Sequence, residues 1–316
     1  MKKVRLQNTS IVLIVVSLIL FSCGSNGDLR GGSPRLLDIS GLAWIQDNTF
    51  LAVSDAKNSD EKEFTRVSLL GLPDSLSGIN FNAMKPQFPG GLSNDLESAA
   101  GIPGTNKVLL VESANNNGAY QRIFLADVGE NSVAIKETVT WTDFTSVFNV
   151  EGSAVADAHS GLIFIWAERN TQQQSTEVKW TDLQLEPFAI GQSGHVNSVT
   201  FTLPADLIDQ NGDPLYNRPI VGLDVDSAGN LYSVASFDPE GLVPDPDIGP
   251  FRSIVFKIGQ VVADDVVLDE EPATMSILDS LKVESVAIRE NGHGVEIFVG
   301  TDDENYGGIL RQLPPP

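Results

Sequence analysis

The feature that most constrains the fold of this chain is an internal repeat. Each repeat unit has a short run of small and apolar residues, then a polar turn, then a second apolar run. The first runs are residues 39–44, 96–101, 150–155, 220–225 and 283–288. Turn residues between two short β-rich runs are typical of a hairpin. The sequence therefore predicts five antiparallel strand pairs of one kind.

The spacing of the repeat indicates how the pairs are arranged. The second position of each first run is Ser40, Glu97, Glu151, Val221 and Glu284, separated by steps of 57, 54, 70 and 63 residues. A propeller blade takes about 40 to 50 residues, and longer loops extend it. The last unit lacks a fourth strand, which residues 33–37 could supply. We predict an all-β, five-bladed β-propeller; the alternative has six blades, with a further unit within residues 171–217.

The N-terminus predicts export. Lys2, Lys3 and Arg5 precede an apolar stretch over residues 11–21, which is too short for a stable membrane-spanning helix of about 20 residues. Leu20-Phe21-Ser22-Cys23 resembles the bacterial lipobox, which implies that Cys23 is lipidated. A plain signal peptide is the alternative. We expect a signal peptide at residues 1–22, a flexible tether at 23–32 and one propeller domain at 33–316. The lipid would anchor the exported protein in the bacterial cell envelope, either on the periplasmic side or at the cell surface.

The composition limits the classes of partner that the protein can bind. Cys23 is the only cysteine, so the mature domain has no internal disulfide. Without residues 1–22 the chain has 17 basic and 42 acidic side chains, a net charge of −25. Such a surface repels nucleic acid and anionic lipid and favours metal cations or basic partners. We expect a monomer that binds no nucleic acid.

The repeat also predicts a ring of acids. Matching positions of the innermost strands face one another around a propeller axis, so Glu97, Glu151 and Glu284 should meet at one end of the channel, beside Ser40. Three carboxylates about 5 Å apart repel by roughly 3 kcal/mol per pair at an effective dielectric near 20. A bound cation, raised pKa values or a basic side chain must offset this repulsion. The carboxylates and the Ser40 hydroxyl are oxygen ligands of the kind that Ca²⁺ prefers, and an exported protein meets abundant Ca²⁺. We therefore expect Ca²⁺ as the bound cation.

A second set of polar residues lies at the ends of the second strands, on the same face of the propeller as the ring of acids. Asp55, Glu112 and Glu168 are the candidate general bases, and Arg122 and Arg169 are the candidates for holding an anionic substrate group. Alternatively, these acids and arginines form ion pairs between neighbouring strands. Each such pair stabilises the fold by a few tenths of a kcal/mol.

Several of these motifs resemble a known family. Residues 40–43 with Val53-Ser54-Asp55, residues 95–97 with Val111-Glu112, and residues 150–152 with Ala167-Glu168 are similar to segments of the phytase-like ("esterase-like activity of phytase") propellers. The order Ser40, Glu97, Glu151, Glu284 also resembles the axial Ca²⁺ site of the calcium-activated apyrases, although Val221 cannot ligate a metal. The resemblance implies a propeller with an axial Ca²⁺ held by these four residues.

Two functions follow as expectations. The first is a calcium-dependent hydrolase that acts on a small anionic phosphoester or a related ester. The second is a non-enzymatic propeller with a structural ion, which binds a protein or glycan of the cell envelope.

Overall fold

Five antiparallel sheets follow one another along the chain, and each is one blade of a β-propeller. The computed structural model describes residues 37–56, 64–72, 79–114, 120–169, 174–208, 215–239, 249–292, 294–302 and 308–315. The chain divides into two units, Met1–Arg35 and Leu36–Pro316. The predicted signal peptide, the tether and Cys23 lie outside the described residues, so these expectations stay predictions.

The strands run outward from the axis in chain order. Blade 1 contains β1 to β4: Gly41–Gln46, Thr49–Val53, Val67–Gly71 and Asn80–Met84. Blade 2 contains β5 to β8: Leu96–Gly101, Lys107–Glu112, Arg122–Gly129 and Ser132–Thr140. Blade 3 contains β9 to β13: Val150–Ala158, Gly161–Glu168, Ser175–Leu185, Phe188–Ile190 and Asn197–Thr202. Blade 4 contains β14 to β17: Arg218–Val225, Asn230–Phe237, Arg252–Val262 and Asp265–Asp279. Blade 5 contains β18 to β20: Val283–Asn291, Gly294–Thr301 and Leu310–Gln312.

The innermost strands close into a ring. Each contacts its neighbours in the order β1, β5, β9, β14, β18 and back to β1. The Ile39 N–H donates to the Thr301 carbonyl (2.9 Å), and the Ser285 hydroxyl donates to the Ile39 carbonyl (3.0 Å), so the segment before β1 is bonded to blade 5. The five-bladed prediction is confirmed.

The hydrophobic core lies between the blades rather than in one centre. Each of the five buried clusters joins two neighbouring blades: for example, Phe50 of blade 1 packs on Phe298 of blade 5, with ring centroids 4.7 Å apart. Both faces of the middle strands are therefore buried, as in β6, where Val108 to Val111 are fully buried. This explains why the second run of each repeat is continuously apolar instead of alternating.

The small residue after each ring position is required by backbone packing around the axis. A Cβ on Gly152 would lie 3.0 Å from the Gly222 carbonyl carbon, and a Cβ on Gly222 would lie 3.1 Å from the Glu284 carbonyl oxygen. A Cβ on Gly41 would lie 2.7 Å from the Ala99 nitrogen. Neighbouring inner strands thus approach closely enough that larger side chains do not fit, which accounts for the glycine and serine of the repeat.

This packing predicts the effect of a single methyl group. Gly222→Ala is expected to lower the free energy of unfolding by about 1–3 kcal/mol, because three backbone atoms of blade 5 lie near 3.1 Å from the new Cβ and must move. Gly292→Ala is the matched control, since a Cβ there meets nothing within 4 Å. Urea unfolding of both variants measures the difference. Equal stability of the two variants would contradict close packing at the axis.

Two details differ from the sequence expectations. Residues 175–202 form β11, β12 and β13, and all three belong to blade 3, so the six-bladed alternative is excluded. Blade 5 has three strands within the described part of the chain; of the proposed closing strand at 33–37, only Leu37 is described, and it is not in a strand. No helix among the described residues is long and apolar enough to span a membrane.

Candidate functional site

The ring positions lie at one end of the axis, because each inner strand begins there. We call this end, defined by Ser40, Glu97, Glu151, Val221 and Glu284, the ring end. Ser40, Glu151 and Glu284 line a narrow cavity on the axis. Glu97, which starts the inner strand of blade 2, is buried but does not line this cavity. The predicted ring of acids is therefore divided between two groups.

The first group is an acid trio at the junction of blades 1 and 2. Asp55 follows β2, Asp95 directly precedes β5, and Glu97 lies within β5. One carboxylate oxygen of each lies within 4.8 Å of the other two, and Asp95 and Glu97 are buried. Asp95 adopts a left-handed backbone conformation (φ 61°) and accepts a hydrogen bond from the Ser113 hydroxyl, which fixes its carboxylate. The trio is thus held by neighbouring backbone and side chains.

Buried Arg66, which directly precedes β3, joins blade 1 to the chain segment before β5. Its Nε–H donates to the Ser93 carbonyl (2.6 Å), two residues before Asp95, and an Nη1–H donates to the Phe64 carbonyl (3.1 Å). Arg66 therefore fixes the backbone two residues before Asp95.

The Ser40 hydroxyl is an unsatisfied polar atom beside the axial cavity that Glu151 and Glu284 also line. Ser40 is 1% exposed, and its Oγ has no hydrogen-bond partner among the described residues. A buried hydroxyl without a partner costs about 1–3 kcal/mol, so such groups usually bind water or an ion. Ser40 therefore offers an additional oxygen ligand at the ring end.

The second group pairs the other ring acids with basic side chains from blades 3 to 5. Glu151 Oε1 lies 3.5 Å from Arg169 Nε and accepts from the Asn149 side chain at 3.0 Å. Glu284 Oε1 lies 3.1 Å from Arg218 Nη1 and 3.2 Å from Lys282 Nζ. Basic side chains thus supply one of the three offsets that the sequence analysis left open, and they do so for these two acids.

Asp238 links the basic residues of the second group. Its Oδ2 forms an ion pair with Arg218 and lies 3.8 Å from Arg169 Nη2 and 3.7 Å from Lys282 Nζ. Lys282 also lies 4.0 Å from Asp302. We call these seven residues the ion-pair network: Glu151, Arg169, Arg218, Asp238, Lys282, Glu284 and Asp302.

The network changes the acidity of Glu284. Burial alone would raise the pKa of this carboxyl, but the charges of Lys282 and Arg218 and the hydrogen bonds to the carboxylate outweigh burial, so its pKa is lowered. Glu284 is therefore ionised at neutral pH, and the network depends on its negative charge.

The predicted catalytic and substrate-binding residues lie in different surroundings. Glu112 is fully buried and is held by Arg122, with Nη2 to Oε1 at 2.6 Å and Nε to Oε2 at 3.0 Å. Arg122 also donates to the carbonyls of Pro89, Gly91 and Leu92, so the pair fixes the loop between blades 1 and 2. Glu112 and Arg122 thus form a cross-strand pair.

Glu168, Asp55 and Arg169 complete the predicted set. Glu168 accepts from Lys179 Nζ at 2.6 Å and from the Phe148 N–H at 3.0 Å. Asp55 belongs to the acid trio, and Arg169 belongs to the ion-pair network with an 18% exposed side chain. Of the five residues, only Asp55 and Arg169 lie in one of the two charged groups at the ring end.

Sequence reasoning missed four residues of these groups: Asp95, Arg218, Asp238 and Lys282. Asp95 and Lys282 each lie two residues before a ring glutamate, and Arg218 lies three before Val221. A charged residue just before an otherwise apolar inner strand was a usable signal. Asp238 follows a β-strand into a loop, and nothing in its sequence context distinguishes it.

Comparisons with known proteins identify the architecture. No family model matches the sequence, and no curated protein matches it. A thermostable family-43 glycoside hydrolase has a similar structure, with a TM-score of 0.50, 11% identity and coverage of 89% of this chain and 93% of that chain. An endo-arabinase from Bacteroides thetaiotaomicron has a TM-score of 0.49 and 10% identity, covering 90% of this chain and 98% of that one.

At these identities the likeness shows the fold alone. The chain is a five-bladed β-propeller whose inner strands place charged side chains at one end of the axis. The resemblance to the phytase-like propellers stays a prediction.

Proposed function

We propose that this protein is an exported, lipid-anchored β-propeller of the bacterial cell envelope that binds Ca²⁺ at the ring end through Asp55, Asp95 and Glu97. The observation that carries the proposal is the convergence of three carboxylate oxygens within 4.8 Å of one another. This ligand set overlaps the one expected from the sequence at Glu97 and replaces Glu151 and Glu284, which are paired with basic residues, by Asp55 and Asp95.

The donors of the trio suit Ca²⁺. Carboxylates are hard oxygen ligands that bind Ca²⁺ with one or both oxygens, and Ca²⁺ tolerates irregular sets of six to eight ligands. Three carboxylates gathered around one point favour a divalent cation. Nitrogen and sulfur ligands are absent from the trio, which disfavours zinc.

We further propose that the cation site serves the hydrolysis of a phosphoester or a related ester. A bound Ca²⁺ supplies Lewis acidity toward a phosphoryl or carbonyl oxygen. Asp55 is half-buried, whereas Asp95 and Glu97 are buried, so Asp55 is the trio member placed to accept a proton from water. Arg169, on the partly exposed side of the ion-pair network, would hold an anionic substrate group.

A non-enzymatic role is the second candidate, and a separate observation favours it. The loops that end at the ring end expose several large apolar side chains: Phe64, Leu92, Tyr120 and Phe148. Exposed aromatic residues around a polar centre are typical of surfaces that bind glycans or proteins. In this case the ion would be structural, and the loops would bind an envelope glycan or protein.

Calcium binding is tested by thermal unfolding of residues 33–316 with Ca²⁺ or with chelator. A ligand at 100 times its Kd stabilises the folded state by about 2.7 kcal/mol, so we expect a clear rise in Tm that saturates with Ca²⁺. Glu97→Gln should abolish this rise, because a trio ligand loses its charge. Glu130→Gln, at an exposed turn, is the control and should keep it. A Ca²⁺ response that Glu97→Gln leaves unchanged would exclude the trio as the site.

Turnover separates the two candidates. The same protein is assayed on nucleotide, phytate and simple ester substrates with and without Ca²⁺. Calcium-dependent turnover that Asp55→Asn abolishes would support the hydrolase. Stabilisation by Ca²⁺ without turnover on any of these substrates would favour the binding role.

A further inference from the structure

The opposite end of the axis contains a second cavity, of about 220 Å³. All five blades contribute to it, because the inner strands end there and turn outward. Its wall includes Trp44 of blade 1, Thr105 of blade 2, Asp157 of blade 3, Asp224 and Asp226 of blade 4 and Glu290 of blade 5. Ligand pockets usually measure about 300–1,000 Å³, so this cavity suits a small molecule.

The charge of this wall is of one sign. Asp157, Asp224, Asp226 and Glu290 line the cavity, and none of the lining residues is Lys, Arg or His. Arg289, next in sequence to Glu290, lines a neighbouring surface groove instead, where it is bound to Glu296 (2.7 Å) and Asn48 (2.7 Å). A concave wall with charges of one sign concentrates the electrostatic potential inside it. The cavity therefore favours a cation over a neutral or anionic ligand.

Three of the four acids have carboxylate oxygens that can accept further hydrogen bonds. Asp226 accepts four hydrogen bonds, from Ala228, Asn230 (twice) and Tyr232, and is a structural residue of its turn. Asp224 accepts one backbone N–H on each oxygen, from Val225 (2.8 Å) and Ile288 (2.7 Å). A carboxylate oxygen accepts two hydrogen bonds, so each oxygen of Asp224 can accept one more.

The other two acids are Glu290 and Asp157. Glu290 uses Oε1 for the Ser227 N–H and hydroxyl, and its Oε2 accepts nothing from the described residues. Asp157 is exposed at the rim. The wall of the cavity thus offers further acceptor positions on Asp224 and Glu290 and an exposed carboxylate on Asp157.

The arrangement of the acids favours an extended cation over a metal ion. Among the described residues, the only group of three or more potential metal ligands within 4.8 Å of one another is the acid trio at the ring end. No three of the cavity acids therefore bring carboxylate oxygens within 4.8 Å of one another. Trp44, half-buried in the same wall, adds an aromatic surface that attracts organic cations.

From this cavity, its acidic wall and Trp44 we infer a second binding site, for a small organic amine, at the end of the axis opposite the ring end. The ammonium group donates to Asp224 and Glu290, and its apolar part packs against Trp44. This site is independent of the proposed calcium function.

The site should depend on pH. The pKa of Asp224 is raised to about 7, mainly because the carboxyl is buried and also because of the negative charges of Asp226 and Glu290, against two backbone hydrogen bonds that lower it. Asp157 faces the cavity from blade 3, while the lining residues of blades 1 and 2 are uncharged. Asp224 is protonated below this pH and loses its attraction for an ammonium group. Binding should therefore weaken about tenfold from pH 8 to pH 6.

Calorimetric titration with 1,4-diaminobutane at pH 8, in low salt, tests the inference, with 1,4-butanediol as the neutral probe. We expect saturable one-to-one binding of the diamine and none of the diol. Asp224→Asn should weaken binding at least tenfold and remove the pH dependence. Asp157→Asn, at the exposed rim, should weaken binding several-fold without risk to the fold. Asp279→Asn, with a 72% exposed side chain far from the cavity, is the control.

Three results would overturn the inference. Equal binding of diol and diamine would show that charge is not recognised. Displacement of the diamine by equimolar Ca²⁺ would show a metal site. Unchanged binding in both Asp157→Asn and Asp224→Asn would place the diamine elsewhere.

Discussion

Replacing Lys282 with methionine is expected to lower the free energy of unfolding by about 3–5 kcal/mol at pH 8. Lys282 is 3% exposed, and its Nζ lies 3.2 Å from Glu284, 3.7 Å from Asp238 and 4.0 Å from Asp302. Its loss would leave buried carboxylates with less compensating charge, which is costlier than losing an exposed ion pair. Urea unfolding at several pH values measures the effect.

The loss of stability in Lys282→Met should depend on pH, in a direction that follows from the pKa of Glu284. The pKa of Glu284 is lowered in the folded protein, so the stability that its charge contributes is present above its unfolded pKa and is lost as the pH falls through the folded value. The difference between wild type and Lys282→Met should therefore shrink below about pH 4. Lys136→Met, which removes a 48% exposed partner of Asp127, is the control and should cost at most about 1 kcal/mol. Similar losses in the two variants would contradict a buried network.

Trp141→Ala is expected to cost about 3–5 kcal/mol in the free energy of unfolding. Trp141 begins the 3-10 turn Trp141–Asp143 after blade 2 and is fully buried against blade 3, with its ring centroid 5.7 Å from Phe164 and 5.4 Å from Trp166. Its indole N–H donates to the Glu112 carbonyl of β6 (3.1 Å). One side chain therefore joins two blades by packing and by a hydrogen bond.

Two further variants divide this effect into its parts. Trp141→Phe keeps most of the packing but leaves the Glu112 carbonyl without this donor, so a loss of about 1–2 kcal/mol is expected. Phe148→Ala removes an aromatic side chain of the same connection that is 62% exposed, and it should change the stability by less than about 0.5 kcal/mol. A loss in Phe148→Ala as large as in Trp141→Ala would contradict the assignment of the blade contact to Trp141.

The five-bladed architecture was predictable because each repeat unit of the sequence corresponds to one blade. The glycines and serines after the ring positions are required wherever inner strands touch, as the contacts of Gly152 and Gly222 show. The apolar second runs are required because both faces of β6 and its equivalents are buried. Blade 3 was harder to delimit, because β12 and β13 pair with different parts of the long strand β11 and so mimic a further unit.

The site was only partly predictable. A repeat position indicates where a residue's backbone lies, but it does not indicate which side chains contact that residue. The repeat placed Glu97, Glu151 and Glu284 at one end of the axis, but it did not indicate that Arg218 and Lys282 reach two of them. Asp238 meets Arg169 and Arg218 across blades from residues far apart in sequence. Such pairings depend on loop conformation, which a single sequence does not encode in a readable pattern.

A crystal structure of residues 33–316 grown with Ca²⁺ tests the central claim most directly. We predict an anomalous difference peak coordinated by oxygens of Asp55, Asp95 and Glu97, and no such peak between Glu151 and Glu284, whose charges are already paired. A trio with no ion at saturating Ca²⁺ would contradict the calcium site and the function proposed for it.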